Sequence, residues 1–283
     1  MRKFFTPFLV GTLLLVSPSI QAQYVEVGGM AGGTNYIGDL QGFKPEIGAF
    51  GPSVSLMARW NRSPRLAFRA TAMYGSFNAT DYRAFGNLRS RNLEAQTKLY
   101  ELAVCAEFNL LPFDVMDGKT NAPYLFAGVG GLYFNPQARH EGKFIDLRPL
   151  GTEGQYLEGG KPYSPFQVVI PMGLGMKLAL WQRLSVGFEF GIRQTFTDYL
   201  DDVSGKYPNM DALGKQNPIA AQMSFPAIST TTLPNQRAAI EGQQRGDNVK
   251  TDRYYFAGVS MTYSLGSTRK MEYNQSYRNF FNF

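Results

Sequence analysis

From Leu66 onward the chain alternates between apolar and polar or small positions with a period of two. Leu66, Phe68, Ala70, Ala72 and Tyr74 share one face of an extended chain, and Arg65, Ala67, Arg69, Thr71 and Met73 share the other. The pattern recurs at Tyr100, Leu102, Val104, Ala106 and Phe108 against Glu101, Ala103, Cys105 and Glu107. Val168, Ile170, Met172, Leu174 and Met176 oppose Val169, Pro171, Gly173, Gly175 and Lys177. Leu184, Val186, Phe188, Phe190 and Ile192 oppose Ser185, Gly187, Glu189, Gly191 and Arg193, and Tyr255, Ala257, Val259, Met261 and Tyr263 oppose Phe256, Gly258, Ser260 and Thr262. Weaker runs begin near Tyr24, Val54 and Tyr124, which brings the total to eight. Runs of about 9–11 residues fit strands that cross a bilayer at a tilt, and an even strand number is expected of a single-chain bacterial barrel.

The connections support the same reading. Tight turns at 61–64 and 180–183 and a moderate one at 111–122 alternate with long polar links at 34–48, 78–98, 135–165 and 197–252. The pattern predicts an all-β fold: an eight-stranded antiparallel transmembrane β-barrel with short periplasmic turns and long extracellular loops, both termini lying in the periplasm. Tyr24, Trp60, Phe108, Tyr124, Trp181 and Tyr263 are placed as an aromatic girdle at the periplasmic edge. A soluble sandwich would share the alternation, but it would not require an apolar face on every strand bounded by aromatics.

The N-terminus changes the picture by adding a compartment. Arg2 and Lys3 precede a short apolar core at 8–16 and a small-residue cut site after Ala22, the layout of a cleaved secretory signal. The expected organisation is a signal peptide at 1–22, a barrel at 23–265 and a periplasmic tail at 266–283. No later apolar run reaches 18 residues, whereas Gly (30), Tyr (16) and Phe (22) abound, which favours strands over membrane helices. The net charge of +6 comes without a lysine-rich block, so nucleic acid is not an expected partner. A single cysteine, Cys105, excludes an internal disulfide and a cysteine metal cluster.

Period-two bookkeeping puts Glu26, Glu101, Glu107 and Glu189 on inward faces with Arg59, Arg69, Lys177 and Arg193. An eight-stranded barrel is just wide enough for side chains to fill, so these charges are expected to pair in a plugged lumen. Gly173, Gly175, Gly187 and Gly191 are expected to leave room for the long partners. His140 is the only histidine, in a polar stretch whose nearest serine is Ser164, which makes a Ser-His enzyme a weak reading. No cofactor and no small-molecule substrate are expected.

Asp198, Asp201 and Asp202 crowd the stretch that follows Thr195. Their spacing is not that of an EF-hand, and they are expected to bond local backbone N–H groups rather than to hold a metal. The segment 210–252 is rich in Gln, Asn, Thr and Ala and reads as a mobile surface loop. The tail offers Arg269, Lys270, Tyr273, Tyr277, Arg278, Phe280, Phe281 and Phe283 as candidate partner contacts, since aromatic and arginine side chains anchor interfaces.

The blocks Gly160-Lys161-Pro162-Tyr163-Ser164-Pro165, Ile170 to Lys177, Glu189 to Arg193, and Thr195-Phe196-Thr197-Asp198-Tyr199-Leu200-Asp201-Asp202-Val203-Ser204 resemble the PorG family. These are outer-membrane barrels of the Bacteroidetes type IX secretion system. The resemblance implies a non-enzymatic component of that machine, set in outer-membrane lipids and anchoring or organising a periplasmic ring of the lipoprotein PorK and its partner PorN. The competing expectation is a general structural or adhesive surface barrel.

Overall fold

The computed structural model describes residues 24–40, 50–81, 91–114, 121–181, 183–226, 240–247 and 250–265. The expected signal segment 1–22 and the whole expected tail 266–283 lie outside the described residues. The alternating runs form strands β1 (Tyr24–Ile37), β2 (Gly51–Asn61), β3 (Leu66–Thr80), β4 (Glu94–Asn109), β5 (Asn121–His140), β6 (Lys143–Asp146), β7 (Phe166–Trp181), β8 (Leu184–Thr195) and β9 (Arg253–Ser264). Two short helices, α1 (Met210–Gln216) and α2 (Pro218–Ser224), stand between β8 and β9. β6 is a four-residue strand paired with the far end of β5, and the other eight strands close a barrel. Successive barrel strands pair antiparallel, β9 returns to β1, and β4 pairs with β5 to complete the ring.

Closure satisfies the backbone of every barrel strand without an open edge, the condition for crossing a bilayer with strands. The outer surface shows what solvent it meets. Leu56 is 73 % exposed, Leu102 69 %, Val129 58 % and Val104 57 %, within a belt that also carries Val54, Leu125, Leu174, Phe188 and Met261. Fully burying one such side chain is worth about 1.5–3 kcal/mol, so an aqueous fold would not leave a continuous ring of them outside. This is a bilayer-spanning barrel. Val104 sits four residues from Tyr100 and four from Phe108, both exposed aromatics, and so lies near the middle of the belt. Val104→Arg is therefore expected to cost about 2–4 kcal/mol in urea unfolding from lipid vesicles, whereas Val104→Leu should be near neutral.

Two girdle positions turn out differently. Trp60, Phe108, Trp181 and Tyr263 are exposed at the short-turn end, with Trp60 and Phe68 ring centroids 5.8 Å apart. Tyr24 and Tyr124 are instead buried inside. Tyr24 shares its face with Glu26, and side chains two apart on a strand cannot take opposite sides. Tyr124 points inward with Phe126 in the same way.

Several strands outrun a bilayer crossing. β4 and β7 have 16 residues each and β5 has 20, roughly 66 Å of extended chain at about 3.3 Å per residue. Residues 78–80, 94–98 and 135–140, expected as loop, are strand. Beyond the belt, their outward side chains can be polar without loss, so pairing continues after the apolar alternation stops. β5 turns into β6 through Glu141 and Gly142, whose φ angles of +49° and +81° suit a two-residue hairpin.

The lumen divides along its length. Buried charges occupy the half nearest the short turns. Apolar side chains, among them Tyr36, Phe77, Leu99, Leu132, Phe134, Tyr254 and Phe256, fill the half nearest the long connections. The described residues of the connections 141–165 and 196–252 fold over that end as a cap, with Leu200 and Val203 buried against the same cluster.

Candidate functional site

Glu107 stands at the centre of the charged half. Its carboxylate lies 2.9 Å from Arg59 Nε, 3.2 Å from Arg69 Nε and 2.6 Å from Lys177 Nζ. Towards the turn end, Glu26 takes Arg59 Nη1 at 2.6 Å and accepts from Asn61 Nδ2 and Thr262 Oγ1, each at 3.1 Å. Towards the cap, Arg69 donates to Glu189, which also accepts from the Tyr124 hydroxyl at 2.9 Å. Arg193 bridges onward, with Nη2 3.8 Å from Glu189 and Nε 3.7 Å from Glu101, and Glu101 accepts from the Tyr254 hydroxyl. All eight charged residues expected in the lumen are there, buried, and linked as one chain of alternating sign. Breaking a buried pair by removing one partner costs several kcal/mol, so the chain rigidifies the barrel interior and fills it.

Asn61, Asn109, Tyr124, Tyr254 and Thr262 belong to this network and were missed in the sequence. They share the inward parity of the charged residues, and that parity was the available signal. The glycines on β7 and β8 have a more specific role than making space for charged side chains. A Cβ at Gly175 would stand 2.4 Å from the Tyr124 ring, and one at Gly173 or Gly191 would stand 2.8 or 2.7 Å from Phe126. The space goes first to these two rings. Lys177 Nζ then lies 4.6 Å from the Tyr124 centroid, and the Arg69 guanidinium 5.1 Å from that of Phe126.

The stretch Thr195 to Ser204 builds the seal above. Thr195 Oγ1 donates to the Asp252 carbonyl at 2.6 Å, and Thr97 Oγ1 donates to the Leu200 carbonyl at 2.5 Å. Phe196 points outward, the Thr197 hydroxyl accepts from Tyr199 N, and the Tyr199 ring stacks on Tyr163 at 4.5 Å. Asp198 is half-buried. Asp201 Oδ1 accepts from Val203 N at 2.9 Å, the local bond foreseen for this cluster. Asp202 reaches further: it accepts from Thr152 and, at 2.7 Å, from the Tyr163 hydroxyl, both in the 141–165 connection. Its φ of +67° is left-handed, a conformation that aspartate tolerates better than most residues. Burial raises its carboxyl pKa to about 6, with Arg245 pulling the other way. Among the described residues, no group of three or more His, Cys, Asp or Glu side chains is arranged to hold a metal ion.

The expected mobile loop at 210–252 is folded where it is described. Asn209 caps α1, its side chain accepting from Ala212 N at 2.8 Å, and Asn217 caps α2 with Pro218 in the first turn. Met210, Leu213, Ala220 and Met223 are buried. Asparagine at helix starts, with apolar residues three apart, was a legible signal that the polar composition masked. Arg245 then clamps the cap. Fully buried, it donates to Glu153 at 2.8 Å, to the Asp202 carbonyl at 2.6 Å and to the Ser224 carbonyl at 3.2 Å. Arg91 forks onto Asp81 at 2.5 and 3.1 Å and also donates to the Arg245 carbonyl. His140 sits at the β5–β6 hairpin, and the Ser164 hydroxyl is engaged by the backbone of Phe166.

The model of the family described as Domain of unknown function (DUF6089) matches residues 2–218. The chain belongs to this family. The match takes in β1 to β8, the motif segment and α1, and ends on the first residue of α2. No curated protein matches the DUF6089 chain. Among solved structures it is similar to Neisserial surface protein A, with 12 % identity, TM-score 0.41, and coverage of 84 % of this chain and 96 % of that one. It is also similar to Ail of Yersinia pestis, with 7 % identity, TM-score 0.41, and coverage of 86 % and 99 %. OprG of Pseudomonas aeruginosa gives 9 % identity, TM-score 0.37, and coverage of 87 % and 98 %. The barrel of this DUF6089 protein rests on its own strand register.

Proposed function

We propose that this DUF6089 protein is a non-enzymatic outer-membrane barrel of the type IX secretion system, which anchors or organises a periplasmic ring of PorK and PorN. The observation that carries this reading is where the motif segment sits. The stretch with the strongest PorG resemblance, Thr195 to Asp202, is used to seal the cap end above a lumen already filled by paired charges. A barrel plugged in this way has its surfaces left for function. A periplasmic ring would meet the three short turns, expected at 61–64, 111–122 and 180–183, and the tail at 266–283. In this orientation the folded cap faces outside.

The test is a mild-detergent pull-down of tagged full-length chain, with and without 266–283, together with export of type IX cargo in a deletion strain. Co-purifying PorK that vanishes on truncation supports the reading and puts the contact in the tail. PorK retained after truncation supports it and moves the contact to the turns. If PorK is absent from both samples and cargo export is intact, the general surface barrel wins. One observation favours that second reading: the cap is a folded unit that exposes Phe144, Tyr156 and Phe196 away from the membrane belt.

A further inference from the structure

Where the cap meets the barrel mouth, a single hydroxyl faces two buried carboxyl groups. Tyr36, on β1, is stacked on Phe77 with ring centroids 4.8 Å apart and is fully buried. Its Oη lies 2.6 Å from Asp201 Oδ2 and 2.9 Å from Asp252 Oδ1. The remaining oxygens are also committed: Asp201 Oδ1 accepts from Val203 N and Asp252 Oδ2 from Leu200 N, each at 2.9 Å. An ionised carboxylate only accepts, and a phenol has one proton to give. With both acids ionised, one carboxylate oxygen would face the phenol oxygen lone pair to lone pair. The arrangement closes only if one carboxyl keeps its proton and donates it to Tyr36 Oη, while Tyr36 donates to the other.

We propose that Asp201 and Asp252 share one proton through Tyr36, and that this proton latches the 198–203 segment over the barrel mouth, so that the cap loosens as pH rises. The inference does not depend on a role in secretion. The charges around the pair do not supply an alternative. Arg245 is committed to Glu153 and to the Asp202 carbonyl, and Arg91 is committed to Asp81. Asp39, just past β1, and Asp198 from the motif are acids too, and they push the pair up rather than supplying a cation. Burial and these acids raise both carboxyls, Asp201 to about 8. A carboxyl held above its ordinary value near 3.9 gives its full stabilisation below about pH 4 and loses it as pH climbs to the folded value. The cap should therefore open more readily at each step from about pH 5 to about pH 8, by up to tenfold per unit.

Asp252→Asn tests the latch without removing it. The amide nitrogen can donate to Tyr36 Oη permanently, and the amide oxygen can still accept from Leu200 N. The experiment uses the full chain in lipid vesicles, with protease added to the cap side at pH 5, 6, 7 and 8. The ratio of wild-type to variant cleavage within 196–252 cancels the protease's own pH profile and the titration of Asp39, Asp198 and Asp202, which burial raises into the same range. The ratio should rise severalfold or more across that range. In infrared spectra at pH 6, wild type should show a protonated-carboxyl band that is lost in both Asp252→Asn and Asp201→Asn. A ratio that stays flat, or a wild-type spectrum identical to those of the Asn variants, overturns the proposal. Asp201→Asn keeps the test open if the first variant fails to fold, since the two positions are equivalent about Tyr36.

Discussion

Replacing Glu107 with alanine should cost the barrel at least about 3–5 kcal/mol, the largest loss expected from any single lumen substitution. The reason is stoichiometric. Glu107 faces three cations at 2.6–3.2 Å, in a closed interior where the side chains of Arg59, Arg69 and Lys177 are each about 2 % exposed. Its removal leaves these three cations with two carboxylates between them, Glu26 and Glu189, and takes away the ion pair of Lys177. Lys177 can shed a proton to escape, but neither arginine can. Arg59 would keep Glu26, and Arg69 would keep Glu189, but the two guanidinium groups would then face one another across an empty site. Glu107→Gln should fall between, because it preserves volume and one acceptor but not charge. Arg69→Met should be milder than either, since Arg59 and Lys177 still neutralise Glu107. Urea unfolding of refolded protein in lipid vesicles gives the order directly. An alanine variant within about 1 kcal/mol of wild type would mean that water, not protein, solvates these cations, and the plugged-lumen reading would be lost.

Much of this barrel was readable from residue parity alone. On β3, β4, β7, β8 and β9, a period of two assigns the inward and outward faces correctly, because a lipid-facing strand must be apolar at every second position. The same rule, applied consistently, would have put Tyr24 beside Glu26 and Tyr124 in the lumen. Residue type alone, an aromatic near a strand end, points instead to the girdle, and for Tyr24 and Tyr124 parity is the better guide. The cap was much less legible. Its folding depends on bonds such as Tyr36 to Asp252 and Arg245 to Glu153, 216 and 92 positions apart, between segments with no period to give them away. A polar composition suggested mobility, yet the cap's largest buried polar groups are paired, Arg245 with Glu153 and Asp202 with Tyr163. What set the cap apart from a disordered loop was its punctuation: Asn209, Asn217-Pro218 and the left-handed turn at Asp202.

That construction makes Arg245→Met a second substitution of large and separable effect. Arg245 ties together three parts of the cap: Glu153 in the β5–β7 connection, the motif carbonyl of Asp202, and the Ser224 carbonyl at the end of α2. Methionine fills a similar volume but leaves Glu153 without its cation and two carbonyls without a donor. Glu153 would still accept from Ser204 N and Gly205 N at 2.9 and 3.1 Å, so it stays seated as an uncompensated buried charge. Losing one partner of such a pair costs about 3–5 kcal/mol, borne here by the cap rather than by the strands. Cleavage within 196–252 should therefore rise at least about a hundredfold, since each 1.4 kcal/mol is worth a factor of ten. The barrel should still migrate as a folded, heat-modifiable band, because no strand pairing and no lumen charge involves Arg245. Arg245→Lys should rescue little, as one ammonium cannot span three acceptors laid out for a planar fork. Loss of the folded band in Arg245→Met would mean that cap and barrel fold as one cooperative unit. Retention of the band with a protease-open cap would make the cap an independently unfolding element, the property that a surface gated by its own loops requires.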